Sequence, residues 1–239
     1  MTYVEGFIVA VPKANKEAYR SHAAGAWPLF EEFGITRLVE AWASDVPEGK
    51  VTDFRKAVQA KEDEDVVFSW FEYPDRASRN AVIEKMMSDP RMAEMGSSMP
   101  FDGKRMIIGG FEALLEKGSG RGAYVDGFVV PVSMGNKEAY RQSAEKSSVM
   151  FADNGGLRVV ECWGDDIRDG TVTDFRKAVQ AEAEENVVFS FIEWPDKATR
   201  DRGWQNMMEN DAMKDEPMPF DGKRMFWGGF GVLLDTKAV

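Results

Sequence analysis

Two acidic residues stand beside tryptophans in a pattern that suits proton transfer. The pattern is found at Glu40 and Trp42 and again at Glu161 and Trp163. Residues two apart in a β-strand share one face, so each carboxyl would lie against an indole. Apolar surroundings raise the pKa of a carboxyl and allow it to carry a proton near neutral pH. We expect both glutamates to be proton carriers and both tryptophans to bind ligand; the alternative is a structural ion pair, for Glu40 with Arg37 or Arg105.

A charged turn also occurs twice and could hold an anion. The octapeptide MPFDGKRM stands at residues 99–106 and 218–225. Its lysine and arginine could bind a carboxylate or an enolate while the aspartate orients them. The alternative is ordinary Asp-Gly turn chemistry, with the cations paired to acids across the interface between the two copies. The candidate ligand-binding residues here are Asp102, Lys104, Arg105, Asp221, Lys223 and Arg224.

The remaining reactive residue types argue against a metal or a cofactor. The chain has one histidine, His22, and one cysteine, Cys162. We interpret His22 as a helix-surface residue, because Ser143 replaces it in the second copy, and Cys162 as an inert thiol of a buried strand. A serine–histidine nucleophile common to both copies is therefore excluded. We expect no metal site and no cofactor, haem included.

A second pair of acids and two Gly-Gly pairs are further candidate site residues. Glu5 and Asp126 each share a strand face with aromatic residues, and so provide another acid in an aromatic cleft. Gly-Gly pairs at 109–110 and 228–229 lie inside a predicted strand. Such pairs indicate a bulge or the close approach of another group.

The chain is a tandem duplication. The ten residues VTDFRKAVQA occur at 51–60 and again at 172–181, and NKEAYR occurs at 15–20 and 136–141. The offset is 121 until two residues are lost before the second octapeptide, after which it is 119. We divide the chain into a first repeat at 1–117, a flexible Gly/Ser linker at 118–122 and a second repeat at 123–239.

Each repeat is predicted to run strand, helix, strand, strand, helix, strand. In the first repeat the strands are expected at residues 3–11, 37–43, 66–73 and about 105–115, with helices after Asn15 and Asp75. The segment 51–60 fits either a short strand or a helical turn. The third strand, Val-Val-Phe-Ser-Trp-Phe-Glu-Tyr, is apolar on both faces and must be covered on both. Since two helices cover one face only, we expect the sheet of the sister repeat to cover the other, stacked on it or curled with it into a barrel.

These motifs resemble the YbaA-like family (domain of unknown function 1428). The resemblance rests on Tyr-Val-Glu-Gly-Phe, Asn-Lys-Glu-Ala-Tyr-Arg, Val-Val-Phe-Ser-Trp and the octapeptide, and it covers both repeats. It implies an α+β fold: two ferredoxin-like βαββαβ units that pair through their sheets as a dimeric α/β barrel, here an intrachain pseudo-dimer. That superfamily includes cofactor-free monooxygenases, muconolactone isomerase-like enzymes, haem proteins and binding modules, so the fold alone selects no chemistry.

Net charge and the lack of long apolar runs limit the classes of partner that we expect. The 239 residues carry a formal net charge of -11, which disfavours binding to nucleic acid. No signal segment or bilayer-length apolar run is visible, so we expect a soluble cytoplasmic protein without a membrane partner. The leading interpretation is a small-molecule-binding barrel, with metal-free isomerisation or cofactor-free oxygenation of an apolar carbonyl-bearing compound as its chemistry. The alternative is a non-catalytic scaffold or protein-interaction module.

Overall fold

The computed structural model describes residues 2–210 and 218–237 and shows the repeated βαββαβ unit. The first repeat consists of β1 (Tyr3–Pro12), α1 (Lys16–Phe33), β2 (Arg37–Asp45), α2 (Phe54–Ala57), β3 (Glu64–Tyr73), α3 (Arg76–Ser88), α4 (Pro90–Ser97) and β4 (Ile107–Gly118). The second consists of β5 (Tyr124–Ser133), α5 (Lys137–Asp153), β6 (Arg158–Asp166), α6 (Phe175–Ala178), β7 (Glu185–Trp194), α7 (Lys197–Glu209) and β8 (Phe226–Asp235). Helix α4 was not among the predicted elements. None of the helices described is long and apolar enough to cross a membrane.

The two repeats share one closed barrel. The strand order is β1-β3-β2-β8-β5-β7-β6-β4, and every pairing in it is antiparallel. Each repeat contributes four adjacent strands, and the joints are β2 with β8 and β4 with β6. The expectation that each sheet covers its sister by curling into a barrel is confirmed.

The barrel interior is packed with side chains from both repeats. Phe68 and Phe189 stack with ring centroids 4.5 Å apart, and Trp70 and Phe191 stack at 4.2 Å. A Cβ atom on Gly6 would lie 2.8 Å from the ring of Phe189, so this position requires glycine. The interior is thus a core, and any ligand site must lie outside it, between the sheet and the helices.

The segment that fitted either a strand or a helical turn is helical in both repeats. Asp53 caps α2 by accepting a hydrogen bond from the Lys56 amide at 2.7 Å. Phe54 of this turn packs among the phenylalanines of the barrel interior. The hydroxyl of Thr52 donates to the Ala178 carbonyl of the other repeat at 2.6 Å. The two turns therefore join the repeats at one side of the core.

A buried cluster of charges crosses between the repeats. Arg37 donates two hydrogen bonds to Glu193 of the second repeat, at 3.0 and 2.7 Å, and further ones to Asp235. Reciprocally, Arg158 donates to Glu72 of the first repeat at 2.7 Å. The Arg37 and Glu193 side chains are 3% and 1% exposed. Each repeat thus supplies counter-charges that its sister could not bury alone.

We predict that Arg37→Met lowers the free energy of unfolding by about 3–5 kcal/mol, because it leaves the carboxylates of Glu193 and Asp235 buried with less positive charge. Arg20→Met is the control, since Arg20 pairs with the exposed Glu17 within one helix and should have a much smaller effect. Urea unfolding followed by tryptophan fluorescence measures both. Equal losses for the two variants would contradict the structural role of the cluster.

Candidate functional site

A glutamate and a tyrosine meet on the helix-facing side of the barrel in each repeat. The Tyr19 hydroxyl donates to Glu40 at 2.7 Å, and the Tyr140 hydroxyl donates to Glu161 at the same distance. The glutamates are carried by β2 and β6, and the tyrosines by the facing helices α1 and α5. The sheet and the first helix together therefore build the same acid–phenol pair twice.

Burial raises the pKa of both carboxyls. Desolvation raises the pKa of Glu40 and of Glu161 to about 7, although hydrogen bonds from the neighbouring tyrosine and serine hydroxyls oppose the shift. A carboxyl with this pKa can both donate and accept a proton near neutral pH. The alternative pairing of Glu40 with Arg37 or Arg105 is wrong, because those guanidiniums bind other carboxylates.

The second repeat has a cavity at its acid–phenol pair. Its volume is about 780 Å³, and it lies between α5, α7 and the sheet. The side chains of Glu161, Tyr140 and Ser190 line it together with Arg200 and Trp204. The other lining residues are mostly apolar and include Phe128, Val130, Met150, Phe151, Ile192, Met218, Phe220, Met225 and Trp227. A volume between 300 and 1,000 Å³ is typical of small-molecule sites.

In the first repeat larger side chains occupy the equivalent space. Phe71 packs against Phe7 and Phe30, with ring centroids 4.8 and 5.2 Å apart. The second repeat has smaller residues at several of the corresponding positions, namely Ile192 for Phe71, Ser148 for Trp27, Asn154 for Phe33 and Gly156 for Ile35. A recess of about 470 Å³ in the first repeat lies between α1 and α4, and its lining does not include Glu40. The duplicated glutamates are therefore alike in bonding, and Glu161 lines the cavity of about 780 Å³ whereas Glu40 does not.

The charged residues of the octapeptide form structural ion pairs. Arg105 binds Glu64 through both terminal nitrogens, at 2.7 and 2.6 Å, and its Nε donates to Asp102. Arg224 binds Glu185 and Asp221 in the same way. Each acid belongs to the same repeat as its arginine, so the expected pairing across the copies is wrong. Lys104 and Lys223 are exposed. The apolar residues of the second octapeptide, not its charges, reach the cavity.

The predicted tryptophans lie next to the acid–phenol pairs. Trp42 packs with Tyr19 and donates its indole hydrogen to Asp65 at 3.1 Å. Trp163 packs with Tyr140 and is absent from the cavity lining. Of the predicted site residues in the second repeat, Glu161 lines the cavity and Trp163 does not, and the aromatic residues that face the cavity are others.

His22 and Cys162 take the places expected of them. His22 is half-buried on α1, and Cys162 lies in the barrel interior, where burial raises the pKa of its thiol. Among the described residues no group of three or more His, Cys, Asp or Glu side chains is placed to hold a metal ion.

Helix α7 contributes cavity residues that were not predicted from the sequence. Arg200 and Trp204 come from this helix, and Trp227 stacks on Trp204 with ring centroids 6.1 Å apart. A comparison of the two repeats could have pointed to these residues, since Trp204 and Trp227 stand where the first repeat has Ile83 and Ile108.

Comparison with known proteins agrees with this architecture. The model of the family described as "Protein of unknown function (DUF1428)" matches residues 2–103 and 123–222. The uncharacterized protein YbaA of Escherichia coli K12 is 66% identical over 117 residues, which are 49% of this chain and all of that protein.

Solved structures with the same fold are far more distant in sequence. A proposed monooxygenase from Fusobacterium nucleatum is 12% identical with a TM-score of 0.54, over all of this chain and 98% of that one. Another from Lactobacillus acidophilus is 8% identical with a TM-score of 0.56, over 98% and 95% of the two chains. An anthrone oxidase-like protein is 10% identical with a TM-score of 0.55, over 98% and 92%. At these identities the likeness extends to the fold alone.

The raised pKa of Glu40 makes a prediction about stability. The unfolded chain ionises this group near pH 4.5, whereas the folded chain keeps the proton to about pH 7. The contribution of the protonated Glu40 carboxyl to folding stability is therefore complete below pH 4.5 and is lost as the pH rises through 7. Between pH 5 and pH 8 the free energy of unfolding of the wild type should fall by about 2–3 kcal/mol more than that of Glu40→Gln. Urea unfolding at both pH values measures this difference, and parallel pH profiles would contradict it.

Proposed function

We propose that this chain, which belongs to the DUF1428 family, binds an apolar, carbonyl-bearing small molecule in its second-repeat cavity and transfers a proton on it. The observation that carries the proposal is the Glu161 carboxyl, which lines an apolar cavity of about 780 Å³ and has a pKa raised to about 7. A cavity of this size and a carboxyl with this pKa are the two requirements of acid–base chemistry on an apolar substrate.

The chemistry follows from the surroundings of Glu161. In its ionised form the carboxylate takes a proton from a carbon next to, or conjugated with, the carbonyl group of the ligand. Tyr140 donates a hydrogen bond to that carboxylate at 2.7 Å and so holds it in place. Return of the proton to another carbon of the same enolate completes an isomerisation without any oxidant.

Oxygenation is the second candidate. It is favoured by the proposed monooxygenases and the anthrone oxidase-like protein that share the barrel. In this version the carbanion left after proton removal reduces O₂; one oxygen atom becomes a new carbonyl oxygen on the ligand, and the other leaves as water together with the two hydrogens lost from that carbon. Consumption of O₂ with anthrone as the probe distinguishes oxygenation from isomerisation.

The scaffold alternative is less well supported. It requires the absence of a ligand-sized cavity next to the predicted acids, and the second-repeat cavity exceeds the roughly 300 Å³ that small ligands need. Four of the exposed large apolar side chains, Val149, Met208, Met218 and Trp227, line this same cavity, whereas Met87 and Met134 lie elsewhere in the fold.

The proton-transfer proposal is tested by deuterium exchange at the carbon next to the ketone of 2-tetralone in D₂O, followed by proton NMR. The wild type should accelerate exchange over buffer, and Glu161→Gln should slow it by about 100-fold or more. Glu40→Gln is the matched control, because Glu40 has the same tyrosine partner and does not line the cavity. Equal losses for both variants, or no acceleration by the wild type, would contradict the proposal.

A further inference from the structure

Arg200 has a buried hydrogen-bond donor without an acceptor. The residue is 5% exposed and lines the second-repeat cavity. Its Nε donates to Asp126 at 2.8 and 3.1 Å, and its Nη1 donates to Asp45 and Asp201 at 3.0 and 3.1 Å. Its Nη2 is buried and has no hydrogen-bond partner among the described residues. A buried donor in this condition destabilises the protein unless something else accepts from it.

The first repeat shows why this donor is free. There Arg79 donates from Nη2 to Glu5 at 2.7 Å, as well as from Nε. The second repeat has Asp126 in place of Glu5, and aspartate is shorter by one methylene. Asp126 reaches Nε only, and it also accepts from the indoles of Trp194 and Trp204 at 3.0 and 2.7 Å. The replacement of glutamate by aspartate thus frees one donor in the repeat that has the open cavity.

We propose that Arg200 Nη2 binds the carbonyl oxygen of a neutral, fused-ring ligand in the second-repeat cavity. This inference rests on the proposed function and names its substrate class. The same hydrogen bond would stabilise the oxyanion that develops when Glu161 removes a proton.

Local charge selects a neutral ketone over a carboxylate. The charges around this donor are two cations, Arg200 and Lys197, and three carboxylates, Asp45, Asp126 and Asp201. The cluster is therefore one negative charge in excess; elsewhere in the cavity lining, Asp153 and ionised Glu161 are acidic and Lys146 is basic, which leaves the wall negative. A ligand carboxylate would meet repulsion there, whereas a carbonyl oxygen accepts the hydrogen bond without it.

Cavity volume and aromatic lining indicate the size and shape of the ligand. Glu161 lies opposite Ser190, which lies opposite Phe128, and Asp126 is two residues along the same strand. Two strand spacings across and two residues along separate the backbone positions of Glu161 and Asp126 by roughly 12 Å. The cavity of about 780 Å³ beside these positions has room for a bicyclic ligand. The stacked pair Trp204 and Trp227 provides a flat aromatic surface beside it.

The test compares 2-tetralone with tetralin, the same bicycle without the oxygen, by isothermal titration calorimetry. The wild type should bind the ketone about 10-fold tighter. Asp126→Glu restores the acceptor found in the first repeat, so it should bring this ratio close to one and leave the tetralin Kd unchanged. Glu5→Asp is the matched control and should leave both affinities unchanged.

Each outcome separates the two proposals. Equal affinity of the wild type for both probes, or a ratio that Asp126→Glu does not change, overturns the role of Arg200 while leaving the cavity as a binding site. Failure of both 2-tetralone and tetralin to bind overturns the proposed function as well. Tighter binding of 2-naphthoate than of 2-tetralone overturns the choice of a neutral acceptor. The comparison of probes on the wild type decides the matter even if Asp126→Glu does not fold, and Arg200→Lys provides a second variant without Nη2.

Discussion

Each repeat has a four-stranded sheet with two open edges, and the sister repeat pairs with both. The edges of β2 and β4 pair with β8 and β6, so the backbone hydrogen bonds of each repeat are complete only in the closed barrel. The aromatic interior follows from this closure, because Phe68 and Phe189 stack across it. The buried cluster of Arg37 and Glu193 follows as well, since its two charges come from different repeats. The interior is therefore full, and ligand chemistry is confined to the space under the helices.

Joining the repeats in one chain allows the two clefts to differ. In a homodimer every change would appear in both, whereas here Phe71 packs between Phe7 and Phe30 in one cleft and its smaller counterpart Ile192 lines a cavity in the other. The acid–phenol pair is kept in both repeats, with the same distance and the same raised pKa. In the second repeat, both members of the pair also line the cavity.

Much of the fold could be predicted from the sequence because repetition and periodicity record it directly. The apolar third strand required cover on both faces, and identical segments identified the partner that provides it. The burial of Glu40 and Glu161 followed from their place on apolar strands, whereas their tyrosine partners on the facing helices did not. The ion pairs of the octapeptide could not be predicted, because Arg105 and Arg224 bind Glu64 and Glu185, which lie about 40 residues away in the sequence. The sequence analysis did not single out Arg200, because its free Nη2 results from a hydrogen bond that the shorter side chain of Asp126 does not make.

We conclude that, among the described residues, the second repeat has a cavity at Glu161, whereas aromatic side chains pack in the equivalent space of the first repeat. The most direct measurement is a crystal structure of the full chain after soaking with 2-tetralone. The account predicts ligand density in the second repeat, in contact with Glu161 and Arg200, and aromatic side chains in the equivalent space of the first repeat. Ligand in the first-repeat cleft, or a second-repeat cleft closed by its own side chains, would contradict it.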